Sequence, residues 1–186
     1  MKQEALRERL LIELDLLTAD VTALTSPLSD AELGWRPPGD GWSIGQVLEH
    51  ILTGGDRYLT RLRPLIYMPG APLARAEDRD WEPQFTASLL VSSLKAKRKL
   101  RAPRVLQVGA QPRPDARGAF IAQQAAIRAL LLASADLDWN RLRFRSPVNR
   151  IIKLNLGDAF TVLVVHGQRH ALQMQRVRGL PGFGRN

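Results

Sequence analysis

Leu6, Leu10, Leu14, Leu17, Val21 and Leu24 follow one another at spacings of three and four residues. That rhythm lays them along one face of an α-helix. The same rhythm returns in three later stretches. Ile44, Val47, Leu48, Ile51, Leu52, Leu59 and Leu62 form the second stripe, and Phe120, Ile127, Leu130, Leu131 and Leu137 the third. Leu163, Gly167, His170, Met174 and Val177 form the fourth. A helix of about twenty residues is roughly 30 Å long. Four such helices, each apolar on one side, bury their stripes by packing side by side. The expected fold is therefore all-α, a four-helix bundle with long proline-rich connections.

Local punctuation sets the expected boundaries. Helix one runs from about Gln3 to Leu24. Pro27, Pro37 and Pro38 then break the pattern, since proline lacks the amide donor and clashes with the preceding turn. A short helical turn fits Ser29–Leu33. Helix two starts from Ser43, with Gln46 completing a capping box, and runs to about Pro64. Residues 64 to 84 hold four prolines and read as a loop. Phe85 to about Leu100 forms a further helix with a weaker stripe. Helix three spans about Asp115 to Leu137. Helix four begins near Asn155, with Asp158 favourable in its first turn, continues to Val177 and ends at Gly179 before Pro181. No repeat or low-complexity tract appears. Residues 1–186 read as a single domain.

Composition excludes several functions. The 186-residue chain has no cysteine, so it offers no disulfide, thiolate ligand or nucleophilic thiol. The N-terminus enters charged helical pattern directly, without a signal-peptide apolar stretch, and no apolar run approaches a membrane span. A cytoplasmic location is the expectation. The net charge of +9 favours anionic partners without choosing among them. Lys95, Lys97, Arg98, Lys99, Arg101 and Arg104 cluster, but without interleaved aromatics. No helix-turn-helix or zinc-finger pattern accompanies them, which argues against nucleic acid. Trp35, Trp42, Trp81 and Trp139 read as packing residues near helix starts and connections.

The chain has three histidines. His166 and His170, four apart on one helix, point their rings to one side, and His50 lies at the edge of the second stripe. Three neutral imidazoles suit Zn, Ni, Fe or other divalent transition metals, and leave coordination positions open. Gly54 and Gly167 either leave room for a ligand or let helices approach. Metalloproteases with this histidine spacing place Glu directly after the first histidine, where this chain has Gly167. Di-metal bundles need Glu three residues before each histidine, and those positions are Val47, Leu163 and Gly167. A single-ion site of neutral ligands fits better. Such an ion lowers the pKa of water or holds a thiol as thiolate.

Gly41-Trp42-Ser43-Ile44-Gly45-Gln46-Val47-Leu48-Glu49-His50 resembles the second-helix signature of the DinB/YfiT-like superfamily. Asn155-Leu156-Gly157-Asp158, His166-Gly-Gln-Arg-His170 and Gln173 resemble its last helix, and Ser146-Pro147 its approach to that helix. The resemblance spans the chain except for residues 64 to 112, which match no strong motif. It implies a four-helix bundle, often dimeric, with a divalent metal on His50, His166 and His170. The metal expected is Zn or Ni, with Fe and Mn as alternatives. Some relatives are transferases or isomerases that use low-molecular-weight thiols.

Two readings remain open. In one, the chain is a metal-dependent hydrolase or thiol-dependent S-transferase acting on a small molecule. Arg57 and Arg169 are then candidates for binding an anionic thiol, and Gln46 or Gln173 for orienting an imidazole. In the other, it is a metal-binding bundle without turnover, for no general base is evident beside the histidines.

Overall fold

A computed structural model describes residues 1–39, 41–74, 80–96, 103–109 and 112–184. Six α-helices lie among them: α1 (Gln3–Thr25), α2 (Asp30–Gly34), α3 (Ile44–Ile66), α4 (Phe85–Lys95), α5 (Ala116–Ala133) and α6 (Leu156–Arg178). A 3-10 turn covers Arg104–Leu106, and a small hairpin pairs β1 (Arg143–Arg145) with β2 (Lys153–Asn155).

The four expected stripes become the four long helices of a bundle. Helix α1 packs against α5 and α6, and α3 against the same two, which closes a ring of four. All six apolar residues of the first stripe are buried in α1. They fall into two clusters. One, around Leu6, Leu10 and Leu14, gathers Leu62, Leu131 and Phe160. The other, around Leu17, Val21 and Leu24, gathers Val47, Phe120 and Met174. Helix α4 docks on α6 outside the ring.

The helix starts follow from sequence chemistry. Ser43 accepts from the Gln46 amide while the Gln46 side chain accepts from Ser43 N–H, both at 3.1 Å. Asn155 and Asp158 make the same reciprocal pair at 2.9 Å in each direction, starting α6. Asp158 also accepts from the Gln84 amide at 3.2 Å, which ties α4 to the same cap. Burial outweighs these bonds and pushes the Asp158 carboxyl up to about 6.

Several boundaries differ from the sequence expectation. Helix α5 ends at Ala133, not Leu137. The chain is pulled away there by long-range bonds. The Trp139 indole donates to the Ser134 carbonyl at 3.0 Å, and Gln3 bonds both the Leu137 carbonyl and the Trp139 amide. Trp139 is wholly buried against Phe160, a core residue and not a cover for a bundle end. Helix α4 stops at Lys95. Lys97, Arg98, Lys99 and Arg101 of the basic cluster lie outside the described residues. Pro64 does not end α3, which runs two residues further. In the last turn, a proline loses only one helical hydrogen bond. The hairpin gave no readable signal, because three residues per strand are too short for an alternating pattern to stand out.

Candidate metal centre

The three histidines meet where α3 crosses α6. One ring nitrogen from each lies within 4.8 Å of the other two. The Nε2 atoms of His50 and His166 are 3.1 Å apart. Nitrogens bound to one ion at 2.0–2.1 Å in tetrahedral geometry stand roughly 3–3.5 Å from each other. That pair already has the spacing, and the third nitrogen lies within 4.8 Å of both. The ring centroids are 4.5–5.0 Å apart.

Two of the rings have their tautomer fixed by a neighbour. His50 Nδ1 lies 2.8 Å from the Leu106 carbonyl, which only accepts, so Nδ1 carries the proton. His170 Nδ1 lies 2.9 Å from Gln173 Oε1 and donates in the same way. Both rings therefore turn an unprotonated Nε2 toward the centre. Metal-bound histidines characteristically have this arrangement, with the distal nitrogen donating to a carbonyl or amide oxygen. A cation fits this donor set, since His50 and His170 already turn unprotonated nitrogens inward and the neutral ring of His166, which can donate its own Nε2–H to His50 when no ion is bound, can offer a third by changing tautomer.

A profile of the DinB superfamily matches residues 13–174. The chain belongs to the DinB superfamily. A similar solved structure is YfiT from Bacillus subtilis, described as a probable metal-dependent hydrolase with an unusual four-helix bundle topology. The TM-score is 0.60 at 15% identity, covering 96% of this chain and 88% of YfiT. At that identity the likeness shows a shared fold. A search of curated proteins finds no match.

Within this DinB-superfamily chain the histidines are held neutral. Burial pushes His50 below its ordinary value, against the opposing pull of the Leu106 carbonyl. His166 is pushed well below, first by desolvation and then by the charges of His170, His50 and Arg169. Desolvation and His50 bring His170 down to about 3. Each ring thus offers its lone pair at neutral pH without first losing a proton.

The other residues singled out in the sequence separate. Gln173 does orient His170. Gln46 does not orient an imidazole, since its amide donates to the Gly109 carbonyl at 2.9 Å. Arg169 Nη1 donates to the Leu94 and Ala96 carbonyls at 2.8 and 2.6 Å, closing the C-terminal end of α4. Arg57 is exposed and lines a cleft formed with the hairpin, whose lining includes none of the histidines. The two glycines also differ. A methyl at Gly54 would meet His166 Cε1 at 3.7 Å, so this residue borders the centre. A methyl at Gly167 would collide with Leu17, so this one serves helix approach.

Two contributors had escaped the sequence reading. The Leu106 carbonyl sits in the 64–112 stretch that matched no motif, and a backbone acceptor leaves no side-chain signature. Trp42 packs its ring 4.9 Å from that of His50 and helps wall the site. Glu49, next to His50, is occupied elsewhere. It accepts from Arg113 Nε and Nη2 at 2.9 and 3.0 Å, pinning the segment before α5 onto α3.

Proposed function

We propose that this chain is a metal-dependent enzyme acting on a small molecule, with one divalent ion, Zn or Ni, held by His50, His166 and His170. The observation that carries this reading is the convergence of three neutral imidazoles, two with their outer nitrogens already bonded to oxygen. Three protein ligands leave open positions, as in catalytic sites. A divalent ion there supplies one kind of chemistry: it depresses the pKa of a water or thiol, so that a nucleophile exists at neutral pH.

The chain's own residues do the rest. Leu106 and Gln173 fix the two rings they touch, so little reorganisation accompanies binding. Trp42 and the packed face of α3 exclude water from one side of the rings. The donor cluster contains no carboxylate among the described residues, so the ion keeps its full charge. That favours an anionic nucleophile, either from water, giving hydrolysis, or from a low-molecular-weight thiol, giving S-transfer. YfiT's description as a probable metal-dependent hydrolase supports the first.

A panel of activated esters and amides, run beside thiol consumption with a chlorodinitrobenzene electrophile, separates the two. Metal-loaded protein should turn over one class, and His166→Ala should remove that turnover. A second reading, a metal-binding bundle without turnover, rests on the absence of a described general base in the cluster. Stoichiometric metal with no reaction in either panel would establish it instead.

A further inference from the structure

Away from the histidines, the exposed face of α3 and the β1–β2 hairpin enclose a cleft of about 600 Å³. Arg57 and Arg61 line it from α3, and Arg145 and Arg150 from the hairpin. Arg57 and Arg61 are four residues apart and so share one side of the helix. The lining contains four arginines and no carboxylate. None of the four has an ion-pair partner among the described residues. The nearby acid, Asp56, faces away and is held by Arg113 and Gln123.

The cleft is built on a fixed floor. Tyr58 on α3 and Ser146 in the hairpin are both buried and share a hydrogen bond of 3.1 Å beneath it. That bond joins the two walls. Arg145 Nη1 donates to the Arg150 carbonyl at 2.8 Å, which orients its guanidinium and leaves its other N–H groups available. Phe144 adds a half-buried apolar wall. Four guanidinium groups around one space, with no ion-pair partner among the described residues, repel one another, and a compact polyanion relieves that repulsion. Guanidinium forks match phosphate oxygens two at a time. The volume lies in the range of small-molecule sites.

We propose that this cleft binds the di- or triphosphate moiety of a small organic molecule. Nothing in this assignment depends on metal at the histidines. The test is calorimetric titration of the full-length chain with inorganic tripolyphosphate at physiological salt. Arg57→Gln with Arg61→Gln should weaken binding at least about tenfold, because each removes charge-assisted hydrogen bonds. Arg7→Gln with Arg9→Gln, on α1, lowers the net charge equally and should leave binding unchanged. His166→Ala should also leave it unchanged, and excludes heat from metal chelation. Equal weakening in the α1 pair would reduce the effect to overall charge and overturn the proposal. So would loss in His166→Ala, which would put the anion on the metal. Absence of tripolyphosphate binding overturns it too, as does citrate binding equally well. A single-stranded oligonucleotide that senses these arginines where tripolyphosphate does not would make the cleft a nucleic-acid surface instead.

Discussion

The Nε2 atoms of His50 and His166 face each other at 3.1 Å across the contact between α3 and α6. His50 has its proton on the far nitrogen, where it meets the Leu106 carbonyl. Without an ion, His166 Nε2–H can donate to His50 Nε2; a cation between the two rings would replace that one hydrogen bond by two coordinate bonds. Gently purified protein should therefore carry about one divalent ion per chain, and His50→Ala or His166→Ala should carry little. Elemental analysis checks this. Equal metal in all three proteins would remove the basis for the site.

Gln173 holds His170 through its carboxamide oxygen at 2.9 Å. Removing such an outer partner typically costs 10–100-fold in metal affinity. Gln173→Leu should show a loss of that order in competition with a chromophoric chelator, with unchanged helix content by circular dichroism. The contact is half-exposed, so stability should change little. Unaltered affinity would mean that Gln173 is a surface amide that happens to lie nearby.

The pH dependence of the metal-free protein follows from the same burial. In the folded chain all three histidines bind protons only below their ordinary range, and His170 only near about 3. In the unfolded chain they bind near 6.5. Below about 6.5 the unfolded state takes up protons that the folded state refuses, so stability falls as pH falls. Each histidine contributes up to about 1.4 kcal/mol per pH unit in that window. Asp158 acts oppositely. Its folded value of about 6 exceeds the ordinary 3.8, so its contribution is present below 3.8 and lost as pH rises through 6. Between those values it offsets one histidine of the three. Urea unfolding in EDTA should show a lower midpoint at pH 5 than at pH 7. Asp158→Asn should steepen the decline below pH 6. A midpoint that stays level from pH 7 to 5 would contradict the buried, neutral triad.

How much of this was legible beforehand depends on the kind of signal each residue carries. Leu6 to Leu24 announced α1 because helix periodicity repeats over many residues and accumulates. Ser43–Gln46 announced the start of α3 because capping is chemistry between neighbours. The three histidines could be singled out because the residue type is scarce here and suits metals. Each of these signals is local or compositional. What stayed hidden depends on contacts between distant residues. Gln3 reaching Leu137 and Trp139 ends α5 early, and neither partner marks the other in sequence. The Leu106 carbonyl orients His50 through backbone alone. Arg57 was singled out, but the cleft that gives it neighbours needs the hairpin, whose strands are too short to read.

The glycines bordering the two histidine-bearing helices give a final separation of packing from site. Gly54 and Gly167 looked alike in sequence, each a small residue close to a histidine. At Gly167 an added methyl collides with Leu17 in the core between α1 and α6. Overpacking of that kind costs typically about 1–3 kcal/mol, against roughly 1 kcal/mol regained in helix propensity. Gly167→Ala should therefore be net neutral to destabilising by up to about 2 kcal/mol. At Gly54 the same methyl meets His166 Cε1 at 3.7 Å and Leu106 Cδ2 at 3.8 Å, which are ordinary contacts. Gly54→Ala should gain the propensity term and unfold at higher urea than wild type. It also narrows the space beside His166, so any substrate that passes there should show a raised KM with metal content unchanged. Urea midpoints rank the two variants. If Gly167→Ala proves the more stable, the close approach of α1 and α6 at Leu17 is not the constraint that keeps a glycine there.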